Sequence, residues 1–274
     1  VTASKPIAPN IKPFKNNTNI HVMNNEAIKD LLYKMADDAL IIGHRNSEWT
    51  GIGPLLEEDL AFASMAQDKI GHALALYQIS HDVLGDKDPD IIAFQRTEKE
   101  FKCCQLVELP IGEYDFSLVR HFLFDHAELI RYELLTASTF EPLAQLARKV
   151  KGEIKYHVMH ADTFLKQLAK GTEESHARMQ SALNYAMPFA LGIFEKSEYE
   201  DVLIKEGTFA GEEKLCELWL AKISAIVTAA GLTMPQVADS KIVYGGRKGY
   251  HSKFLEPLLD EMTEVTQIDP SAEW

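Results

Sequence analysis

The chain has 274 residues, 46% of them hydrophobic and 25% charged, and a formal net charge of −13, the composition of a globular protein long enough to bury a sizeable core. An acidic balance of this size repels phosphates and counts against nucleic acid as the main partner. No uncharged apolar run approaches the ~18 residues of a membrane span, and the opening VTASKPIAPNIKPFK lacks the apolar core of a secretory signal, so a cytoplasmic address is expected.

Residues 1–23 hold no acidic residue, and prolines at 6, 9 and 13 forbid continuous helix there, which suggests a basic arm, mobile or wrapped on a partner. Residues 24–274 are expected to form one helical domain. Ile28, Leu31, Leu32, Met35, Ala36, Ala39 and Leu40 follow an amphipathic helical period that predicts a helix from Asn25 to about Trp49, stopped by Gly51 and Gly53-Pro54. Leu56, Phe62, Met65, Ala66, Ala73, Leu76 and Tyr77 predict a second over 55–84, ended by the turn GDKDPD. Shorter helical stretches follow at 90–101 and an irregular one around 109–112. Long helices are predicted at 115–138 and 141–170, one at 172–206 kinked at Pro188, and one at 211–230. A Gly245-Gly246 turn precedes a last helix at 249–266. No alternating strand pattern of useful length occurs. The chain reads as all α, with four core helices of roughly 35 to 45 Å at 1.5 Å per residue.

Three of the apolar stripes carry ionisable residues: Lys69 and His72 on the second helix, Asp125 on the 115–138 helix, and His157 on the 141–170 helix. Inward carboxylates and histidines in a bundle suggest a di-iron site, which takes one acid from each of two helices and Glu-x-x-His from each of the other two. Glu48 and Asp125 can be the lone acids, and His72 and His157 the histidines. Three residues before these histidines, however, stand Lys69 and Ile154. Two ferrous ions want about four carboxylates. This set offers two and adds an ammonium, a repulsion of several kcal/mol even at an effective dielectric near 20. Isoleucine donates nothing. The favoured expectation is a metal-free ionic cluster in which Lys69 neutralises Glu48 and Asp125. Asp68 and Glu153, four residues before the histidines, could build a shifted site or orient the two imidazoles, and the lysine beside them favours the second role.

The stretches HRNSEWTG (44–51), LEEDLAFASMAQDKIGHA (56–73), FDHAELIRYELL (124–135), KGEIKYHVMHAD (151–162) and GGRKGYHSKFLEPLLDEM (245–262) resemble the C subunits of the bacterial phenylacetyl-CoA epoxidases, multicomponent ring 1,2-monooxygenases. The resemblance covers most of 25–274 and leaves out the basic arm. It implies a ferritin-like bundle with additional C-terminal helices and a division of labour. In such a complex the catalytic sister holds the di-iron centre and the substrate, the C subunit is its non-catalytic structural counterpart, and a reductase with flavin and an iron–sulfur cluster supplies electrons. Glu48, Lys69, His72, Asp125, Ile154 and His157 then mark a vestigial metal site, with Lys69 and Ile154 where the sister has glutamates. This implies no cofactor and no metal in this chain.

Weaker signals remain. Lys241, Arg247, Lys248, His251 and Lys253 form a run without an acid, which fits a solvated loop, a clamp for a CoA phosphate, or a site for an acidic partner. Cys103-Cys104 and the distant Cys216 match no disulfide or zinc pattern and are expected to be reduced packing residues. Trp49, Trp219 and Trp274 are expected as core or interface anchors. For a contact with the catalytic sister, or for self-association, the anchors expected are Phe189, Phe194, Trp219 and Phe254. No dinucleotide, Walker or nucleophile-elbow motif occurs.

Overall fold

Asn24 opens the first helix by accepting a hydrogen bond from the Ala27 amide at 3.1 Å, a side-chain cap that satisfies one of the free N–H groups of the first turn. From there the computed structural model, which describes residues 24–268, runs through ten α-helices with no strand among the described residues. Helix α1 (Asn25–Ser47) leads to α2 (Leu56–Leu84), which ends at Gly85 in the left-handed conformation at φ +73°. Asp88 caps α3 (Pro89–Phe94), and α4 (Gln105–Glu108) is a single turn. Next come α5 (Tyr114–Leu135), α6 (Glu141–Ala169) and α7 (Glu173–Leu191), then α8 (Glu200–Lys205), α9 (Glu212–Ala229) and α10 (Leu255–Ile268).

The four long helices α1, α2, α5 and α6 form the ferritin-like core. α1 packs on α2, α5 packs on α6, α2 meets α6, and α7 and α9 lie against α5. Helix α1 is buried nearly all round, 18 of its 23 residues lying inside, among them Asp30, Lys34, Asp37 and Asp38. It therefore needs internal partners for its charges. At Gly43 an added Cβ would come within 2.9 Å of Ile70 and 3.3 Å of Lys69, so glycine permits the close approach of α1 to α2 beside the lysine. No helix among the described residues is long and apolar enough to cross a membrane.

Two predicted elements differ from what is found. The 172–206 helix is not one kinked rod: α7 passes through Pro188 for three residues, stops at Leu191, and the chain resumes as α8. The Val243 amide donates to Pro188 O, and a Cβ on Gly192 would lie 2.1 Å from Val243 O, so the returning chain presses on the backbone where α7 ends. The last helix begins at Leu255, not at 249. Residues 245–254 instead form a strap against the 99–104 segment, with Gly246 so close that a Cβ would meet Cys103 O at 2.2 Å. The basic arm and Trp274 lie outside the described residues.

Candidate functional site

Lys69 sits at the centre of the bundle, fully buried, with its ammonium donating to Asp125 at 2.7 Å and to Glu128, both from α5. Asp125 and Glu128 are three residues apart and share a helix face, so one turn of α5 presents two carboxylates to one cation. Burial by itself would lower the lysine's pKa, but Asp125 and then Glu128 outweigh it and raise it. Burial would likewise raise the Asp125 pKa, and the Lys69 charge, followed by His121, holds that carboxyl well below the usual carboxylate range.

His121 lies 2.9 Å from Asp125 through Nδ1 and 2.8 Å from the Asn46 side chain through Nε2. Burial pushes its pKa down to about 4, so it is neutral at pH 7. A neutral ring that donates Nδ1–H to Asp125 needs a donor at Nε2. The Asn46 amide nitrogen is buried with no other partner, and turning the amide supplies that donor.

The two histidines are oriented by acids, but across helices. His72 Nε2 is 2.8 Å from Glu153 on α6, and His157 Nε2 is 3.0 Å from Asp68 on α2. Each acid serves the histidine of the opposite helix, which pins α2 and α6 antiparallel. The acids are half-exposed while the imidazoles are buried, and both Nδ1 atoms face inward without a protein partner. The hydrogen bond to His157 lowers the Asp68 pKa, and the one to His72 lowers that of Glu153. Ile154 is fully buried in the hydrophobic core.

Glu48 does not join this cluster. It stands at the C-cap of α1, beyond the last helical turn, and pairs at 2.6 Å with Arg45, whose guanidinium is anchored by Glu108 O and Phe254 O. Beside Lys69 the place expected of Glu48 is taken by Glu128. The helical spacing of Glu128 from Asp125 was the available signal, masked because Leu129 completes the apolar stripe.

The basic run 241–253 is not one surface. Arg247 is buried and forks onto Asp38 at 2.7 and 2.8 Å while donating to the carbonyls of Lys34, Lys102 and Ile193. His251 is tied to Glu108 at 2.7 Å and to Phe101 O at 3.0 Å. Ser252 N donates to the other Glu108 oxygen at 2.6 Å. Cys103 Sγ, 3.7 Å from Glu108, completes a clasp between the strap and α4. These contacts remove Arg247 and His251 from any phosphate clamp, leaving the exposed Lys241, Lys248 and Lys253. Cys103 and Cys104 are buried free thiols whose pKa values burial pushes up, and Cys216 is half-buried. Two expected interface anchors are internal: Phe194 and Trp219 are buried against each other at 4.9 Å, and Trp219 donates to Leu123 O. Phe189 and Phe254 are only half-buried. Trp49 is a core residue, bonded to Ser117 and packed on Phe62 and Tyr114.

A di-iron centre is what this fold places between α1, α2, α5 and α6, and the residues present do not fit one. Both α5 carboxylates are engaged by an ammonium, the first acid is turned to Arg45, and the position three before His157 is a hydrocarbon. The molecule is thus a ferritin-like helical protein with a charge-compensated interior where such bundles hold metal. It belongs to the family of phenylacetic acid catabolic proteins, which it matches over residues 12–274, a span that begins inside the arm expected to lie outside the resemblance. Over 241 residues it is 31% identical to the C subunit of the 1,2-phenylacetyl-CoA epoxidase of Escherichia coli (strain K12), covering 88% of this chain and 96% of that one.

Proposed function

We propose that the chain is the non-catalytic, structural subunit of a phenylacetyl-CoA 1,2-epoxidase, paired with a homologous di-iron catalytic subunit and holding that partner's bundle and substrate mouth in shape. The observation that carries this reading is Lys69, a buried ammonium bonded to Asp125 and Glu128 at the position where metal-binding carboxylates would converge. Such a site is electrostatically complete without iron, and adding two ferrous ions beside the ammonium would be strongly repulsive. Likeness to an epoxidase C subunit supports the assignment to the complex. In this reading the iron resides in the companion protein, and the electrons come from a reductase carrying flavin and an iron–sulfur cluster.

The rival, an oxygenase with its own iron site from Glu48, Asp125, His72, His157, Asp68 and Glu153, is disfavoured by the same lysine and by the outward turn of Glu48. Reconstitution decides. Phenylacetyl-CoA epoxidation by the reductase and the di-iron partner should require this chain, while iron counted per chain should stay far below stoichiometric here. Full turnover without this chain, or about two irons bound to it, would overturn the proposal.

A further inference from the structure

Three groups of different chemistry converge where the strap crosses α4. Cys103 Sγ stands 3.7 Å from Glu108 Oε1 and 3.9 Å from His251 Nδ1, and these last two atoms are 2.7 Å apart. Among the described residues this is the one set of three histidine, cysteine and carboxylate donors gathered within 4.8 Å. The backbone builds the convergence. Gly246 and Gly249 let the strap lie on the 99–104 segment, where added Cβ atoms would meet Cys103 O at 2.2 Å and Lys99 O at 2.4 Å, and the left-handed turn at Gly249 (φ +78°) precedes His251. Arg45 fixes the end of α4 through Glu108 O at 2.8 and 3.1 Å. All three side chains are buried, that of His251 at 2% exposure.

We propose that Cys103, Glu108 and His251 form a binding site for one divalent cation of the zinc class, which staples the strap to α4 and does not depend on the pairing proposed above. A thiol, an imidazole and a carboxylate suit a borderline-soft ion, whereas magnesium and calcium take oxygen alone. Their supports are those of a metal site. His251 Nε2 is held by Phe101 O at 3.0 Å, which aims Nδ1 at the centre of the set, and the Ser252 amide fixes the second Glu108 oxygen, which can complete four-coordination. Tetrahedral zinc with such donors has edges of roughly 3.3 to 3.6 Å. The two distances to sulfur lie within a few tenths of this, and the nitrogen–oxygen distance opens by about 0.6 Å once no proton lies between the two atoms. Charge also balances. Each ring nitrogen of His251 meets an oxygen, and a neutral imidazole brings one proton to these two contacts, so the His251–Glu108 pair holds one more and is neutral as a unit. Burial first, then Glu108, keeps the Cys103 thiol protonated. A zinc ion that displaces the thiol proton and the proton between Nδ1 and Oε1 leaves thiolate, neutral imidazole, carboxylate and Zn²⁺, again without net charge, so the buried cluster exchanges protons for metal with no charge left over.

The test uses the full chain, freed of metal with a chelator and titrated with Zn²⁺ and with Co²⁺. About one zinc per chain should bind, releasing about two protons, as read by calorimetry in buffers of different ionisation enthalpy. Co²⁺ in its place should give a thiolate-to-cobalt charge-transfer band with the strong visible bands of four-coordination. Zinc affinity should fall roughly 100-fold or more in Cys103→Ser and in His251→Gln, and stay unchanged in Cys216→Ser. A second readout does not need the first two variants to fold: the chain carrying Cys104→Ser with Cys216→Ser keeps Cys103 as its single cysteine and should retain the thiolate band. Iron in the bundle would be indifferent to Cys103, so this outcome is separate from the iron count above. A cobalt spectrum without thiolate, loss of the band in the single-cysteine chain, or zinc held equally well by Cys103→Ser overturns the proposal and leaves a clasp held by protons alone.

Discussion

Lys69 and Arg247 are both buried cations facing buried aspartates, and their surroundings differ. Lys69 meets two carboxylates from one turn of α5 and lies over the ring of Phe124, so its contacts are few and come from neighbouring core helices. Arg247 comes from the strap and joins it to α1, to the 99–104 segment and to the end of α7, satisfying three backbone carbonyls besides Asp38. A lysine is a point charge that can neutralise a site, whereas the planar guanidinium can also close a fold by serving several acceptors at fixed angles. The first compensates charge in a place inherited from the bundle geometry. The second holds the C-terminal segment on the body.

The sharpest way to break this contrast is Arg247→Met. It should strand Asp38 and three carbonyls in the interior, at a cost of roughly 5 kcal/mol or more, read as a fall in melting temperature of about 10 °C or more. Arg247→Lys should recover only part of this, because an ammonium cannot reproduce the fork. A full rescue by lysine would show that the charge alone matters.

Lys69→Met should cost less, about 3 to 5 kcal/mol, by leaving Asp125 and Glu128 facing each other uncompensated. Its pH signature differs from that of a packing defect. Without the ammonium the two carboxylates protonate more easily, so the deficit against the unaltered chain should shrink as pH falls from 7 to 5. Adding Glu128→Gln to Lys69→Met should restore much of the loss at pH 7. An unchanged melting temperature in the single variant would contradict the burial of the lysine.

His121 supplies a third, smaller effect beside the same cluster. Its folded pKa of about 4 lies below the ordinary histidine value, so the unfolded chain binds more protons between pH ~6.5 and 4. Stability should therefore be lost as pH falls through that window, with a slope of up to about 1.4 kcal/mol per unit. The slope should flatten in His121→Gln when melting is followed from pH 7 to 4.5. A slope unaltered by the substitution would place the titrating group elsewhere.

The contrast between the two cations also separates what the sequence could and could not disclose. Lys69, His72, Asp125 and His157 interrupt apolar stripes of long helices, so period alone placed them inside, and the four core helices were legible for the same reason. Glu48 was misplaced because helical phase stops carrying information at a C-cap, and its carboxylate follows Arg45 instead. Arg247, His251 and Glu108 were illegible because their partners lie 143 or more residues away in sequence, and such pairings have no local period. Asp37 and Asp38 stand off the apolar stripe of the first helix, so period carries no signal of their burial. They are buried only because the strap and the 96–102 segment cover α1 with Arg96 and Arg247. Phe194 and Trp219 were expected at an interface because neither lay in a core stripe, yet α9 and the end of α7 enclose them.

The smallest expected effect belongs to the crossed pairs, His72 with Glu153 and His157 with Asp68. Both acids are about 40% exposed, at 43% and 39%, so solvent screens each pair, and Asp68→Asn or Glu153→Gln should cost at most ~1 kcal/mol. The folded pKa of each acid lies below its ordinary value, so its contribution is present above the unfolded carboxylate pKa and is lost as pH falls through the folded one. The difference between variant and unaltered chain should thus be visible at pH 7 and vanish in acid. Since the two pairs cross between the same two helices, they should couple: once one pair has been removed, α2 and α6 are held less firmly in register, and removing the second should cost less than it does alone. A double-mutant cycle on Asp68→Asn and Glu153→Gln, followed by melting at pH 7, measures that coupling. Strict additivity would mean that each acid orients its own imidazole and does nothing for the seam.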